Sequence, residues 1–182
     1  MSFPALALQA RRQLAALTEP AHRRKVARFC FVSAALLLPG GYAVARYGLA
    51  IDPQAVRCLP DVRAVLIDRW QPPTARGDLV VFAAQGLEPA FADGTLLVKL
   101  LAGLPGDRVE VTAEGVRVNG RLVAEGLALA GKLGHEATAF TRQYLIPQGQ
   151  FLGLGTNPSS LDGRYYGPLP QSRIRGHAVV LF

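Results

Sequence analysis

One lysine stands inside the apolar run Leu96-Leu97-Val98-Lys99-Leu100-Leu101-Ala102, and the run offers it no counter-charge. Asp93-Gly94 precedes the run and Pro105-Gly106-Asp107 follows it, so the stretch reads as a short buried strand closed by a turn. Strand alternation puts Leu97, Lys99 and Leu101 on one face and Val98, Leu100 and Ala102 on the other, which leaves no wet face. Lys99 is therefore expected to be desolvated. Desolvation disfavours an ammonium and makes a neutral amine available as a general base. The plainer alternative is a lysine that lays its stem along the strand end and keeps its head in water.

The rest of the chain sets the context for that lysine. Its 182 residues carry a formal net charge of +7, with half of them hydrophobic and only 18% charged, a composition that excludes a disordered or linker-like protein. A basic chain suggests nucleic acid first, but there is no zinc-type spacing, no basic stripe interleaved with aromatics and no reading motif. Much of the excess is local. Arg11, Arg12, Arg23, Arg24, Lys25 and Arg28 stand against Glu19 alone, immediately before an uncharged stretch from Phe29 to Ala45. That arrangement anchors a segment with its N-terminus in the cytoplasm and the following chain across the membrane. The stretch lies at the short end of what crosses a hydrocarbon core of roughly 30 Å, and Tyr47 to Ile51 can lengthen it. Pro39-Gly40-Gly41 is expected to kink it. A cleavable signal peptide is the rival reading, since Ala43-Val44-Ala45 has the small-x-small form, and a buried helix is a third. The long basic arm and the length of the apolar run favour the anchor. The expected division is a cytoplasmic arm over 1–28, a transmembrane anchor over 29–50 and a periplasmic domain over 51–182.

After Asp52-Pro53 the pattern turns to short strands. Val62 to Asp68, Asp78 to Ala83, Leu96 to Ala102, Arg108 to Thr112, Val116 to Val118 and Arg121 to Val123 read as strands, and Asn119-Gly120 is a two-residue hairpin turn. Glu125 to Arg142 has no period and reads as a loop or small cap. Gln150 to Gly155 and Ile174 to Phe182 read as closing strands. The fold expected is mainly β, one antiparallel β domain preceded by a single N-terminal transmembrane helix. Cys58 is then a lone thiol in an oxidising compartment, either reactive or a small buried hydrophobe. His135 and His177, in a loop and a terminal strand, are read as solvated or packed histidines rather than partners for it. No His, Cys, Asp and Glu group has metal-ligand spacing, and no phosphate loop is present, so no cofactor is expected.

Four segments stand in a telling order: Cys58-Leu59-Pro60, Gly77-Asp78-Leu79-Val80-Val81-Phe82, Lys99 through Gly103-Leu104-Pro105-Gly106-Asp107, and Asn157-Pro158-Ser159-Ser160-Leu161-Asp162-Gly163-Arg164-Tyr165-Tyr166-Gly167. Together they resemble the type I signal peptidase superfamily (S26), and within it the conjugative-transfer peptidases that process pilin precursors. The resemblance implies that Cys58 stands where those proteins carry a serine nucleophile and Lys99 where they carry the base. Ser160 matches the hydroxyl that orients the lysine, and Asp162 and Arg164 match the acid and base that support the site. Val56, Leu59 and Pro60 match substrate-contacting positions around the nucleophile. The departures are informative. A thiol beside an ammonium can exist as thiolate, whereas a hydroxyl needs the neutral amine. Val56 lacks the hydroxyl that many bacterial signal peptidases supply as a second oxyanion donor, Leu100 replaces an arginine and Gly163 a serine. The resemblance further implies a precursor-protein substrate, a pilin or a secretory preprotein, and an inner-membrane location beside other conjugation-apparatus proteins. Cyclisation of the product through the acyl-enzyme is compatible with it. A non-catalytic envelope scaffold built on the same β domain is the reading from outside this class.

Overall fold

The computed structural model describes residues 20–54 and 56–182, so Arg11, Arg12 and Glu19 lie outside the described residues. The chain divides into two units, Met1–Ala45 and Arg46–Phe182. Helix α1 (Pro20–Arg46) runs without interruption through Pro39. Its segment His22–Arg46, 25 residues with a mean hydropathy of 1.4, is long and apolar enough to cross a membrane. Such a helix contributes about 1.5 Å per residue, enough for a core of roughly 30 Å.

The helix ends at Arg46, short of the boundary the hydropathy suggests. Tyr47–Ile51 forms strand β1 and pairs antiparallel with β2 (Ala64–Asp68), with Tyr47 opposite Asp68. The reason is local: the Arg46 carbonyl accepts from the Arg69 N–H, and the Arg46 guanidinium clamps the Asp68 carboxylate at 2.6 Å. Apolar residues that lengthen a hydropathy window also make a good strand, and pairing decides between the two.

The remaining strands are β3 (Leu79–Ala83), β4 (Leu96–Gly103), β5 (Arg108–Thr112), β6 (Gly115–Val118), β7 (Arg121–Glu125), β8 (Arg142–Leu145), β9 (Gln150–Leu154), β10 (Leu169–Pro170) and β11 (Ile174–Val180). They form a seven-stranded sheet in the order β1-β2-β11-β3-β4-β9-β10 and a four-stranded sheet in the order β7-β6-β5-β8. Every pairing is antiparallel. The β6–β7 hairpin turns at Asn119 (φ 52°) and Gly120 (φ 82°), the left-handed pair its two-residue turn requires. Between β7 and β8 the chain makes two short 3-10 turns, Gly131–Leu133 and Ala137–Phe140.

Three apolar clusters fill the domain. One is built on Val109, Val111, Val116, Leu152 and Leu154, a second on Val80, Phe82, Leu101 and Phe151, and a third on Leu59, Val65, Ile67 and Val81. Phe82 and Phe151 meet edge to face at 5.5 Å in the second, the arrangement that ring quadrupoles favour.

Candidate active site

Strand β4 alternates between buried and half-buried positions along its length, and Lys99 takes a buried one, 1% exposed. It does not reach solvent. Its neighbour β3 pairs along the whole strand, from Leu79 opposite Leu100 to Ala83 opposite Leu96. On the other side β9 pairs only as far as Leu100, opposite Leu154. Among the described residues, Leu96 to Lys99 therefore has no strand beside it on that edge.

β9 stops there because the chain turns away at Gly155 into the loop that carries Ser160. Lys99 Nζ lies 2.8 Å from Ser160 Oγ, a buried hydrogen bond between residues 61 positions apart. Two glycines in β9 and its exit make this approach possible. A Cβ on Gly153 would lie 3.3 Å from Lys99 Cβ, and one on Gly155 would lie 2.6 Å from the Cys58 carbonyl oxygen and closer still to Ser160 Oγ. Gly155 leaves no room for a side chain, and at Gly153 a Cβ would crowd the Lys99 stem by a few tenths of an ångström.

Asn157 ties the nucleophile candidate to the same loop. Its backbone N–H donates to the Cys58 carbonyl at 3.1 Å and its Nδ2 donates to the Arg57 carbonyl at 2.9 Å. Its own carbonyl accepts from the Ser160 N–H at 3.0 Å. Cys58, Asn157, Ser160 and Lys99 thus form one connected chain of contacts. Cys58 is half-buried as a free thiol, and its N–H makes no hydrogen bond among the described residues. Cys58 and Lys99 line one cleft of about 290 Å³, walled by Ala50 to Gln54 on one side and Thr95 to Val98 on the other.

The other sequence-derived candidates fall into two groups. Leu59 lines the cleft while buried in the third cluster. Val56 and Pro60 are exposed and lie outside its lining. Asp162 and Arg164 are completely buried behind the cleft, 3.3 Å apart. Asp162 accepts from the Gly155 N–H at 2.7 Å and the Arg164 N–H at 3.0 Å. Arg164 donates to the carbonyls of Glu125, Asn157 and Gly155. The pair fixes the loop rather than facing the cleft. His135 packs edge to face on Phe140, and His177 sits within β11 opposite Val80, so neither reaches Cys58. Sequence reasoning passed over Gly153 and Gly155, whose signal was two alternate glycines opposite the lysine strand, and gave no role to Asn157, which opens the fourth ordered segment.

Burial raises the Tyr166 phenol, whose OH has no hydrogen-bond partner among the described residues, and the nearby Asp162 and Cys58 push it the same way. It stays protonated throughout the ordinary pH range.

Residues 53–182 match the family described as signal peptidase, peptidase S26. The chain is 33% identical over 108 residues to a probable signal peptidase I-2 of Synechocystis, covering 59% of this chain and 47% of that protein. It is 30% identical over 131 residues to the conjugal transfer protein TraF of Agrobacterium tumefaciens, covering 64% of this chain and 73% of the other. A signal peptidase I of Enterococcus faecalis with a solved structure matches 62% of this chain and 99% of its own at 26% identity, with a TM-score of 0.38. The chain spans about half the length of the signal peptidases it matches. With residues 53–182 taking in Cys58, Lys99, Ser160 and every strand from β2 to β11, the chain belongs to the signal peptidase, peptidase S26 family, in its TraF-like branch.

Proposed function

We propose that this protein is a membrane-anchored endopeptidase that cleaves a pilin precursor for a conjugative type IV secretion system. The observation that carries the reading is the buried Lys99 Nζ, held at 2.8 Å by Ser160 Oγ in the cleft that Cys58 also lines. A nucleophile needs a positioned partner to take its proton, and a lysine fixed by a hydroxyl is such a partner. The open edge of β4 at Leu96 to Lys99 supports a substrate bound as an added strand, with main-chain hydrogen bonds for affinity and the cleft for side chains.

The steps follow from that arrangement. Lys99 holds the proton of Cys58, and the thiolate attacks the scissile carbonyl. In this reading the Cys58 N–H donates to the developing oxyanion. The tetrahedral adduct collapses as the C–N bond breaks, and Lys99 returns its proton to the leaving amine. The remaining thioester is resolved by water, which gives a free carboxylate, or by an amine, which gives a new amide and returns the thiol. A thioester is well suited to the second path, so joining of the product's own ends into a ring is part of the proposal. Ser160 positions Lys99, while Asp162 and Arg164 hold the loop that positions Ser160. The apolar α1 supports a single-pass anchor in the inner membrane, with the arginine-rich end in the cytoplasm and the β domain in the periplasm.

The test is co-expression with a pilin precursor and intact-mass analysis of the product. Wild type processes the precursor, and Cys58→Ala and Lys99→Ala each lose processing by at least about a hundredfold, the scale of a lost general base or nucleophile. A product lighter by one water than the linear form identifies amine resolution. Undiminished processing in both variants would place the chemistry elsewhere and leave a binding scaffold.

A further inference from the structure

β4 runs past two clefts. Leu96–Lys99 borders the Cys58 cleft, and Leu100–Ala102 borders a second one of about 550 Å³ shared with the β6–β7 hairpin. Leu154 and Gly155 complete the second cleft. Gly155 is also the residue packed against the Cys58 carbonyl and Ser160 Oγ. The second cleft therefore lies next to the first, one residue further along β4 and against the Gly155 backbone that packs on Cys58 and Ser160.

Its chemistry differs from the first. Leu100, Leu122 and Val123 give it an apolar, partly exposed lining, and two arginines reach it, Arg76 and Arg121. The Arg76 guanidinium is already taken by the buried Asp107 carboxylate, which also accepts from Asn119 Nδ2 and the Leu104 N–H. Arg121 is exposed at the start of β7 and forms an ion pair with none of the described residues. The cleft thus presents apolar surface beside one uncompensated positive charge.

We propose that this second cleft binds the substrate segment on the amine side of the cleaved bond, and that Arg121 selects an acidic residue there. The inference rests on the peptidase reading above. β4 is paired with β9 from Leu100 onward, so the leaving segment quits the strand edge after Lys99 and lies in the cleft. There an extended chain advancing about 3.3 Å per residue sets two or three residues along Leu100–Ala102. The apolar wall takes one side chain, and Arg121 pairs with a carboxylate near it.

The experiment compares two peptides with the same acyl half and leaving segments that differ at one position, Glu or Lys, within three residues of the cut. Wild type is expected to favour Glu in kcat/KM by about threefold, the scale of a partly exposed ion pair, and Arg121→Glu to favour Lys by a similar factor. A ratio within one protein is insensitive to how much of a variant is folded. An equal ratio in wild type and Arg121→Glu would overturn the proposal. If wild type cleaves neither peptide, the peptidase reading has failed on its own, and binding decides the cleft: a labelled acidic leaving-segment peptide binds Cys58→Ala, and adding Arg121→Glu weakens it about threefold or more. Equal binding by both proteins, or none by either, would overturn the assignment.

Discussion

At Gly155 the site tolerates no side chain. The φ angle there is ordinary, so the constraint is steric and comes from the Cys58 carbonyl and the Ser160 side chain, both Oγ and Cβ. Gly155→Ala forces the Ser160 loop away from Lys99 or Cys58 away from the loop. Peptidase activity is expected to fall at least tenfold, with a stability cost of about 1–3 kcal/mol from overpacking, measured by urea unfolding. Ser160→Ala removes the hydroxyl that holds Lys99 Nζ while sparing the fold's apolar contacts. Its expected signature is a drop in kcat with little change in KM, because the substrate contacts lie along β4 rather than at residue 160. Equal kcat in wild type and Ser160→Ala would remove Ser160 from any role in positioning the lysine. Arg164 acts one layer further out: truncating it leaves the Asp162 carboxylate buried without its cation and takes a donor from the carbonyls of Glu125, Asn157 and Gly155, of which Asn157 keeps the Ser160 N–H. Arg164→Ala is expected to cost about 3–5 kcal/mol and to fold poorly, which separates a supporting residue from a reacting one.

The turn from β4 into β5 shows the same logic at the scale of an element. Burial works to raise the Asp107 carboxyl, but Arg76, the Leu104 N–H and Asn119 outweigh it and hold the group below the usual carboxylate range. A carboxyl depressed on folding contributes stability above its unfolded value, near 3.8, and that contribution is lost as pH falls through the lower folded value. Acid unfolding of wild type should therefore steepen below about pH 4. In Asp107→Asn that part of the slope is expected to vanish, with about 1–3 kcal/mol lost at neutral pH. Elements closed by local signals of this kind were legible in the sequence: the Asn119-Gly120 hairpin, the Pro105-Gly106-Asp107 turn and the alternation of β5 each carry their own instructions. β1 and β8 were not. Tyr47–Ile51 is apolar enough to extend a helix, and Arg142–Leu145 is too polar to announce a strand, and only partners far along the chain select the strand in each case. The burial of Lys99 could be read from its apolar neighbours. The pairing of Lys99 with Ser160 could be expected only from the ordered motifs, since nothing local links residues 61 positions apart. Gly155 escaped notice because its role is a distance across the fold.

At the scale of the whole molecule the β domain leaves one apolar face bare. Leu49, Leu66 and Val179 lie opposite one another across β1, β2 and β11, and Ile51, two residues on from Leu49, shares its face. Leu49 is 65% exposed and Val179 52% exposed. The chain's last residues, Leu181 and Phe182, are exposed as well, and the Phe182 carbonyl accepts from the N–H groups of Arg63 and Ala64 at the end of β2. Soluble proteins rarely expose so many neighbouring large apolar side chains without something to cover them. The chain's α1 is long and apolar enough to cross a membrane, which makes a lipid surface the cover to test for that face. Two modes of attachment are therefore expected, and they separate by experiment. The full chain should resist alkaline extraction from membranes, because a spanning helix holds it. Residues 46–182 alone should co-sediment with lipid vesicles yet be released by the same wash. Each apolar side chain removed from the face takes away on the order of 1–2 kcal/mol of burial, so Leu49→Ser with Val179→Ser should lower vesicle binding by tenfold or more. Both substitutions lie on the bare face, so the unfolding transition should stay where it is. Equal vesicle binding by the double variant and the parent domain would mean that the face serves something other than a lipid surface.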